Sequence, residues 1–124
     1  MLVQAYKNYF NCVVVIDDNL SRSKVWISFL RKHFPNVRHF YTVEAALGEF
    51  ELTSVPEAPI LWLLDEYYYN HPISKGEIKR LLKIKSEADL FVSISRRPRY
   101  SAYFDHTVGD EPRPWEELRK QIGH

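Results

Sequence analysis

The sequence predicts an α/β fold, a doubly wound five-stranded parallel sheet with helices on both faces. Short runs of apolar residues alternate along the chain with longer stretches whose apolar residues recur at helical spacing. This alternation occurs about five times, which is typical of strands joined by crossover helices. With 124 residues, of which 45% are hydrophobic, we expect one domain spanning residues 1–124 around one core.

The first half of the chain contains two predicted strand–helix units. Residues 13–16 form a β-branched run that predicts a buried strand. A helix is predicted over residues 20–34, before Pro35, from the spacing of Val25, Trp26, Phe29, Leu30 and Phe34. A strand over residues 37–41 follows, and Thr42 then predicts the start of a second helix.

The second half repeats the pattern and then loses it. Ile60–Leu64 predicts a third buried strand, and Ser74 with Glu77 forms a capping-box pattern that begins a third helix. Residues 90–94 predict a fourth strand. The next stretch, residues 96–110, leaves room only for a short or missing fourth helix and a weakly indicated strand within residues 103–108. A last helix is predicted over residues 116–122.

Composition excludes several classes of protein. The net charge of +1 gives no global field that would favour nucleic acid, so we do not expect nucleic-acid binding. The single cysteine, Cys12, excludes an internal disulfide. No apolar run is long enough to span a bilayer, and residues 1–10 lack the apolar core of a signal peptide. The default expectation is a cytoplasmic location away from membranes.

Polar side chains follow three of the predicted strands. Asp17 and Asp18 follow the first strand, Asp65 the third and Ser95 the fourth. Because the carboxyl ends of parallel strands meet at one edge of the sheet, we expect these groups to converge. Carboxylates brought together repel one another unless a cation lies between them, and oxygen ligands suit Mg²⁺. The simpler alternative is that each acid caps the loop or helix after it.

Four segments give the chain a resemblance to the receiver domains of two-component response regulators: VVVIDDN (13–19), LWLLDEY (61–67), FVSIS (91–95) and EPRPWEEL (111–118). The resemblance covers nearly the whole chain and implies the flavodoxin-like receiver fold. It also implies that Asp17, Asp18 and Asp65 bind Mg²⁺, that Asp65 accepts a phosphoryl group in a phosphorelay, and that Ser95 is the switch hydroxyl.

One family position is replaced. Receiver domains end their fifth strand with Lys-Pro, and this chain has no lysine there. One alignment puts Glu111 in its place and the other puts Arg113, with a slight preference for Glu111 because that alignment needs no gap. Glu111 would add repulsion near Asp65, and arginine does not simply replace a compact ammonium group.

Three functions follow from these observations. The first is an atypical receiver-like signalling domain that acts through protein–protein contact, with a histidine kinase or downstream effector as its partner and a homodimer as a further option. The second is a pseudo-receiver that docks without phosphorylation, for which the tyrosines of the predicted loop 67–69 are a candidate contact. The third and least favoured is a Mg²⁺-dependent phosphatase. Phosphatases of the haloacid-dehalogenase type need a second aspartate two residues after the first, and this chain has Asn19 after Asp17 and Tyr67 after Asp65 at that offset. On the first two interpretations the chain is not an enzyme beyond chemistry on its own Asp65.

Overall fold

The computed structural model describes residues 9–68, 71–95 and 97–108, and at its centre is a five-stranded parallel sheet. In chain order the elements are β1 (Cys12–Ile16), α1 (Leu20–Arg31), β2 (Val37–Phe40), α2 (Val43–Leu52), β3 (Ile60–Leu64), β4 (Tyr67–Tyr68), β5 (His71–Pro72), α3 (Lys75–Ile84), β6 (Leu90–Ser93) and β7 (His106–Thr107). The large sheet has the order β2–β1–β3–β6–β7, and all its neighbours run parallel. The predicted doubly wound α/β fold is confirmed.

Helices cover both faces of the sheet because successive strand residues point to opposite sides. Val13 and Val15 pack in one buried cluster with Trp26 of α1. Val14 packs in the other, together with Phe50 of α2 and the inward residues of α3. The central strands are buried on both faces, which explains their continuous apolar runs.

The predicted helix starts are present at α2 and α3. Thr42 Oγ1 accepts a hydrogen bond of 3.1 Å from the backbone N–H of Ala45. At α3 the capping box closes in both directions: Glu77 N–H donates to Ser74 Oγ at 3.1 Å, and Ser74 N–H donates to Glu77 Oε1 at 3.0 Å.

A buried carboxylate fastens the amino-terminal end of β3. Asp89 precedes β6, and its Oδ1 accepts from the N–H of Ile60 at 2.8 Å. Its Oδ2 accepts from Trp62 Nε1 at 3.0 Å and from the N–H of Ser86 at 2.9 Å. One side chain therefore satisfies three donors, two of which, the N–H of Ile60 and Nε1 of Trp62, are buried.

Several sequence predictions differ from the structure. The first helix ends at Arg31 instead of residue 34, although Phe34 is buried in the core beyond it. Val25 and Phe29 of that helix are 44% and 37% exposed, so only part of its apolar spacing faces the sheet. Tyr67 and Tyr68 lie in a short antiparallel hairpin with His71 and Pro72 instead of the predicted loop, and Tyr69 lies outside the described residues.

The fourth helix predicted to be short or missing is reduced, among the described residues, to a single turn. The described residues between β6 and β7 contain one helical segment, a single 3₁₀ turn at Ser101–Tyr103. The fifth strand is limited to His106–Thr107. The predicted helix over residues 116–122, Glu111 and Arg113 lie outside the described residues. Within the part of the chain that is described, no helix has the length and apolar character needed to cross a bilayer.

Replacing Asp89 tests the role assigned to it. We expect Asp89→Ala to lower the free energy of unfolding by about 2–4 kcal/mol, because it leaves buried donors unsatisfied. Asp89→Asn retains one acceptor oxygen and should cost less. Urea unfolding of both variants measures the difference, and an alanine variant as stable as the parent would contradict this role.

Candidate functional site

The register of the central strands brings the predicted site residues together. Ile16 of β1 pairs with Leu64 of β3, so the residues that follow them, Asp17 and Asp65, are neighbours at one edge of the sheet. The N–H of Asp65 donates to the carbonyl of Ile16 at 2.8 Å, which continues the strand pairing past the last strand residue. Both aspartates are thus held by backbone hydrogen bonding as well as by side-chain contacts.

Three carboxylates form a compact cluster at this edge. Asp17, Asp18 and Asp65 each offer a carboxylate oxygen, and these oxygens lie within 4.8 Å of one another. Asp17 is 0% exposed and Asp65 is 7% exposed, whereas Asp18 is half-buried. The predicted convergence of the three acids is therefore present in the structure.

Burial makes ionisation of this cluster costly. It is the largest cause that raises the pKa of Asp17 to about 7, and the neighbouring Asp65 raises it further. The N–H of Asn19, which donates to Asp17 Oδ1 at 3.0 Å, and the charge of Arg22 act in the opposite direction. Burial also raises the pKa of Asp65, partly offset by the charge of Arg22.

Arg22 is a cation in contact with the cluster, and sequence analysis did not identify it. Its Nε lies 3.7 Å from Asp17 Oδ2. The backbone N–H of Arg22 donates to the side chain of Asn19, the N-cap of α1, at 3.0 Å. The residue after the acidic pair therefore caps the helix, and the first turn of that helix brings Arg22 next to Asp17. Only the spacing from a helix N-cap, three residues, could have indicated this.

Ser95 lies where the sequence predicted. Its Oγ donates to Asp65 Oδ1 at 3.2 Å and accepts from the N–H of Glu66 at 2.6 Å. The N–H of Tyr67 also donates to Asp65 Oδ1, at 3.3 Å. The hydroxyl of Ser95 is buried and directly coupled to the carboxylate that ends β3.

Glu66 is a second residue that sequence analysis missed, and it is 0% exposed. Its Oε2 accepts from Ser93 Oγ at 2.6 Å. Its Oε1 accepts from the N–H groups of Arg99 and Tyr100, at 3.1 Å and 2.6 Å. The residue after Asp65 thus fixes the short connection between β6 and β7. Its sequence position beside a strand-end acid gave no signal, since its partners lie about thirty residues away in the chain.

The cluster fits a hard divalent cation such as Mg²⁺. All the candidate ligands are carboxylate oxygens, as Mg²⁺ prefers. Asp17 Oδ2 is buried and accepts no hydrogen bond from the described residues, although Arg22 Nε lies 3.7 Å from it. Its lone pairs are therefore open to a metal ion. Glu111 and Arg113, the alternatives for the replaced lysine, lie outside the described residues, so the structure does not choose between them.

Comparisons with known proteins gave no match. No protein-family model matches the chain, and no curated protein and no solved structure matches it either. The site is therefore interpreted from its own geometry and chemistry.

The raised pKa of Asp17 predicts a specific pH dependence of stability. The carboxyl group binds its proton more tightly in the folded than in the unfolded chain. The contribution of this tighter proton binding to stability is therefore fully present below about pH 3.8 and is lost as the pH rises through about 7. Asp17→Asn keeps an acceptor for Asn19 but removes the charge. In a metal-free buffer at pH 8 we expect the variant to exceed the parent in unfolding free energy by roughly 2–4 kcal/mol.

The same variant should have no such advantage at pH 4, where the parent carboxyl is protonated. Urea unfolding at both pH values measures this. Glu87→Gln removes an exposed carboxylate far along the chain and serves as the control. An advantage of Asp17→Asn that is equal at the two pH values would contradict the assignment.

Proposed function

We propose that this chain is an atypical receiver-like signalling domain that acts through protein–protein contact and accepts a phosphoryl group at Asp65. The observation that carries the proposal is the position of Asp65. It directly follows the central strand β3, lies in a carboxylate cluster with Asp17 and Asp18, and accepts a hydrogen bond from Ser95. The resemblance of the surrounding segments to receiver domains supports the same interpretation.

The chemistry assigned to Asp65 is nucleophilic. Asp65 Oδ1 accepts hydrogen bonds from Ser95 Oγ and from the N–H of Tyr67, which orient the carboxylate. We assign Oδ2 as the attacking atom: it forms a bond to phosphorus while the bond from phosphorus to the donor's leaving group breaks, and that group departs with the electron pair. Mg²⁺ held by the three aspartates would neutralise their charge and polarise the phosphoryl oxygens.

Arg22 supports the proposal by supplying a positive charge that the replaced lysine does not. Its guanidinium contacts Asp17 and lowers the pKa of Asp65 by electrostatic attraction, so its field reaches both carboxylates. A fixed cation beside Asp65 favours a transferred phosphoryl group, which carries negative charge. We assign this charge-stabilising role to Arg22.

Labelling with acetyl phosphate tests the proposed acceptor. With Mg²⁺ present, we expect the protein to gain the mass of one phosphoryl group, in a form that hydroxylamine removes. Asp65→Asn should gain none, because the nucleophilic oxygen is replaced by an amide nitrogen. Glu87→Gln should be labelled like the parent. Intact-mass spectrometry measures the products, and labelling that persists in Asp65→Asn would contradict the proposal.

The role of Arg22 is tested by the rate of the same labelling. We expect Arg22→Ala to react about tenfold or more slowly, because the charge near Asp65 is lost. Arg22→Lys should retain much of the rate. Lys24→Ala, an exposed change on the same helix, is the matched control. A rate for Arg22→Ala equal to that of the control would contradict the role.

A second candidate function is docking without phosphorylation. It is favoured by the hydrogen bonds of Glu66, whose buried carboxylate ties Arg99 and Tyr100 to the end of β3. Ser95 is likewise held between Glu66 and Asp65, so its hydroxyl is already hydrogen-bonded before any phosphoryl group arrives. Under this function the parent is not labelled at all, and Asp65→Asn leaves partner binding unchanged.

A further inference from the structure

Helix α1 and the edge strand β2 come from a basic stretch of the sequence and together form one surface of the protein. Residues 19–43 contain five lysines and arginines and no acidic residue, although the whole chain has a net charge of only +1. The rest of the chain is therefore net negative. The charges of this stretch are Arg22, Lys24, Arg31, Lys32 and Arg38.

A groove of about 560 Å³ runs along this surface. Its lining is Lys24, Ile27, Ser28 and Arg31 of α1 together with His39 of β2. The four helix residues recur at spacings of three and four, so they form one stripe of α1. The lining has two cations, hydrogen-bonding groups and one apolar contact, and it contains no carboxylate.

The groove cations have no charged partner among the described residues. Lys24 and Arg31 are exposed, and neither forms an ion pair in the part of the chain that is described. His39 is fixed in position, since its Nε2 donates to the carbonyl of Asp17 at 2.8 Å. An anionic ligand would therefore meet charges that are not already neutralised.

The edge strand β2 favours a ligand with an extended backbone, because such a backbone can pair with it as a further strand. β2 is the last strand on its side of the sheet and pairs only with β1 among the described strands. The carbonyl of Asn36 accepts from the N–H of Val13, and that of Phe40 accepts from the N–H of Asp17. The alternate residues, Val37 and His39, therefore direct their backbone polar groups away from β1. Val37 packs on the α1 side of the sheet, and His39 lines the groove there.

We infer that this groove binds an extended acidic peptide of a protein partner, which adds a strand beside β2 and places its carboxylates against Lys24 and Arg31. Backbone pairing at a sheet edge supplies affinity, and alternate side chains supply selectivity. The inference names a partner class for the signalling function proposed above, but it does not require that Asp65 be phosphorylated.

Nuclear magnetic resonance of the ¹⁵N-labelled full chain tests the inference, without Mg²⁺ or phosphodonor. The probe is a short synthetic peptide of alternating valine and glutamate. We expect saturable shifts of the amides of Val37–Phe40 and of the α1 stripe, and an affinity that falls as salt is added. The matched peptide of alternating valine and lysine, and inorganic phosphate, should not produce these shifts.

Charge reversal adds a second line of evidence. Lys24→Glu with Arg31→Glu should weaken binding of the acidic peptide about tenfold or more, because like charges then face each other. Lys79→Glu with Lys83→Glu, an exposed pair on α3, is the matched control and should bind like the parent. Peptide shifts elsewhere, no shifts, equal shifts with phosphate alone, or binding that survives the groove reversal would each overturn the inference.

The test is separable from that of Asp65. Peptide binding by a protein that is not labelled leaves this inference standing and contradicts only the phosphoacceptor. Labelling of Asp65 without peptide binding contradicts this inference and leaves the phosphoacceptor role of Asp65 standing. If the reversed variant does not fold, the salt dependence and the shift pattern of the parent protein still decide the matter.

Discussion

The burial of two carboxyl groups at the ends of adjacent parallel strands is the constraint on which the rest of the site depends. Pairing of Ile16 with Leu64 forces Asp17 and Asp65 together, and both are almost completely buried. Packing that buries apolar strands on both faces thus also removes their terminal acids from water. The energetic cost appears as raised pKa values, and it is reduced by Arg22, by N–H donors and by the hydroxyl of Ser95.

Much of the fold was predictable because its signals are local. The buried strands appear as continuous apolar runs, and Ser74 with Glu77 predicts the start of α3 from the sequence alone. The hairpin that contains Tyr67 was not predictable, since two-residue strands carry no periodicity. The exposure of Val25 and Phe29 was missed for a different reason: helical spacing marks an apolar stripe but does not say how wide a stripe the sheet covers.

The residues of the candidate site also fall into those that the sequence predicts and those that it does not. Asp17, Asp18, Asp65 and Ser95 could be identified because the carboxyl ends of parallel strands share an edge. Glu66 could not be identified, and Arg22 had only its spacing from the N-cap Asn19 as a signal, because both roles depend on where the side chain points in the folded chain. Arg22 reaches Asp17 from the first turn of α1, and Glu66 turns inward to meet Ser93 and Tyr100. The sequence shows that Asp65 and Glu66 both follow a strand, but it does not show that the side chain of Glu66 is also buried.

The central claim is that the buried carboxylates form a cation site, and Mg²⁺-dependent stability tests it most directly. At pH 8, the free energy of unfolding is measured by urea as a function of Mg²⁺ concentration, with NaCl keeping the ionic strength constant. The account predicts that Mg²⁺ stabilises the parent protein progressively, since it binds the folded cluster and not the unfolded chain. The gain should disappear when Asp17 and Asp65 are both changed to asparagine. An equal gain in that variant, or no gain in the parent, would contradict the account.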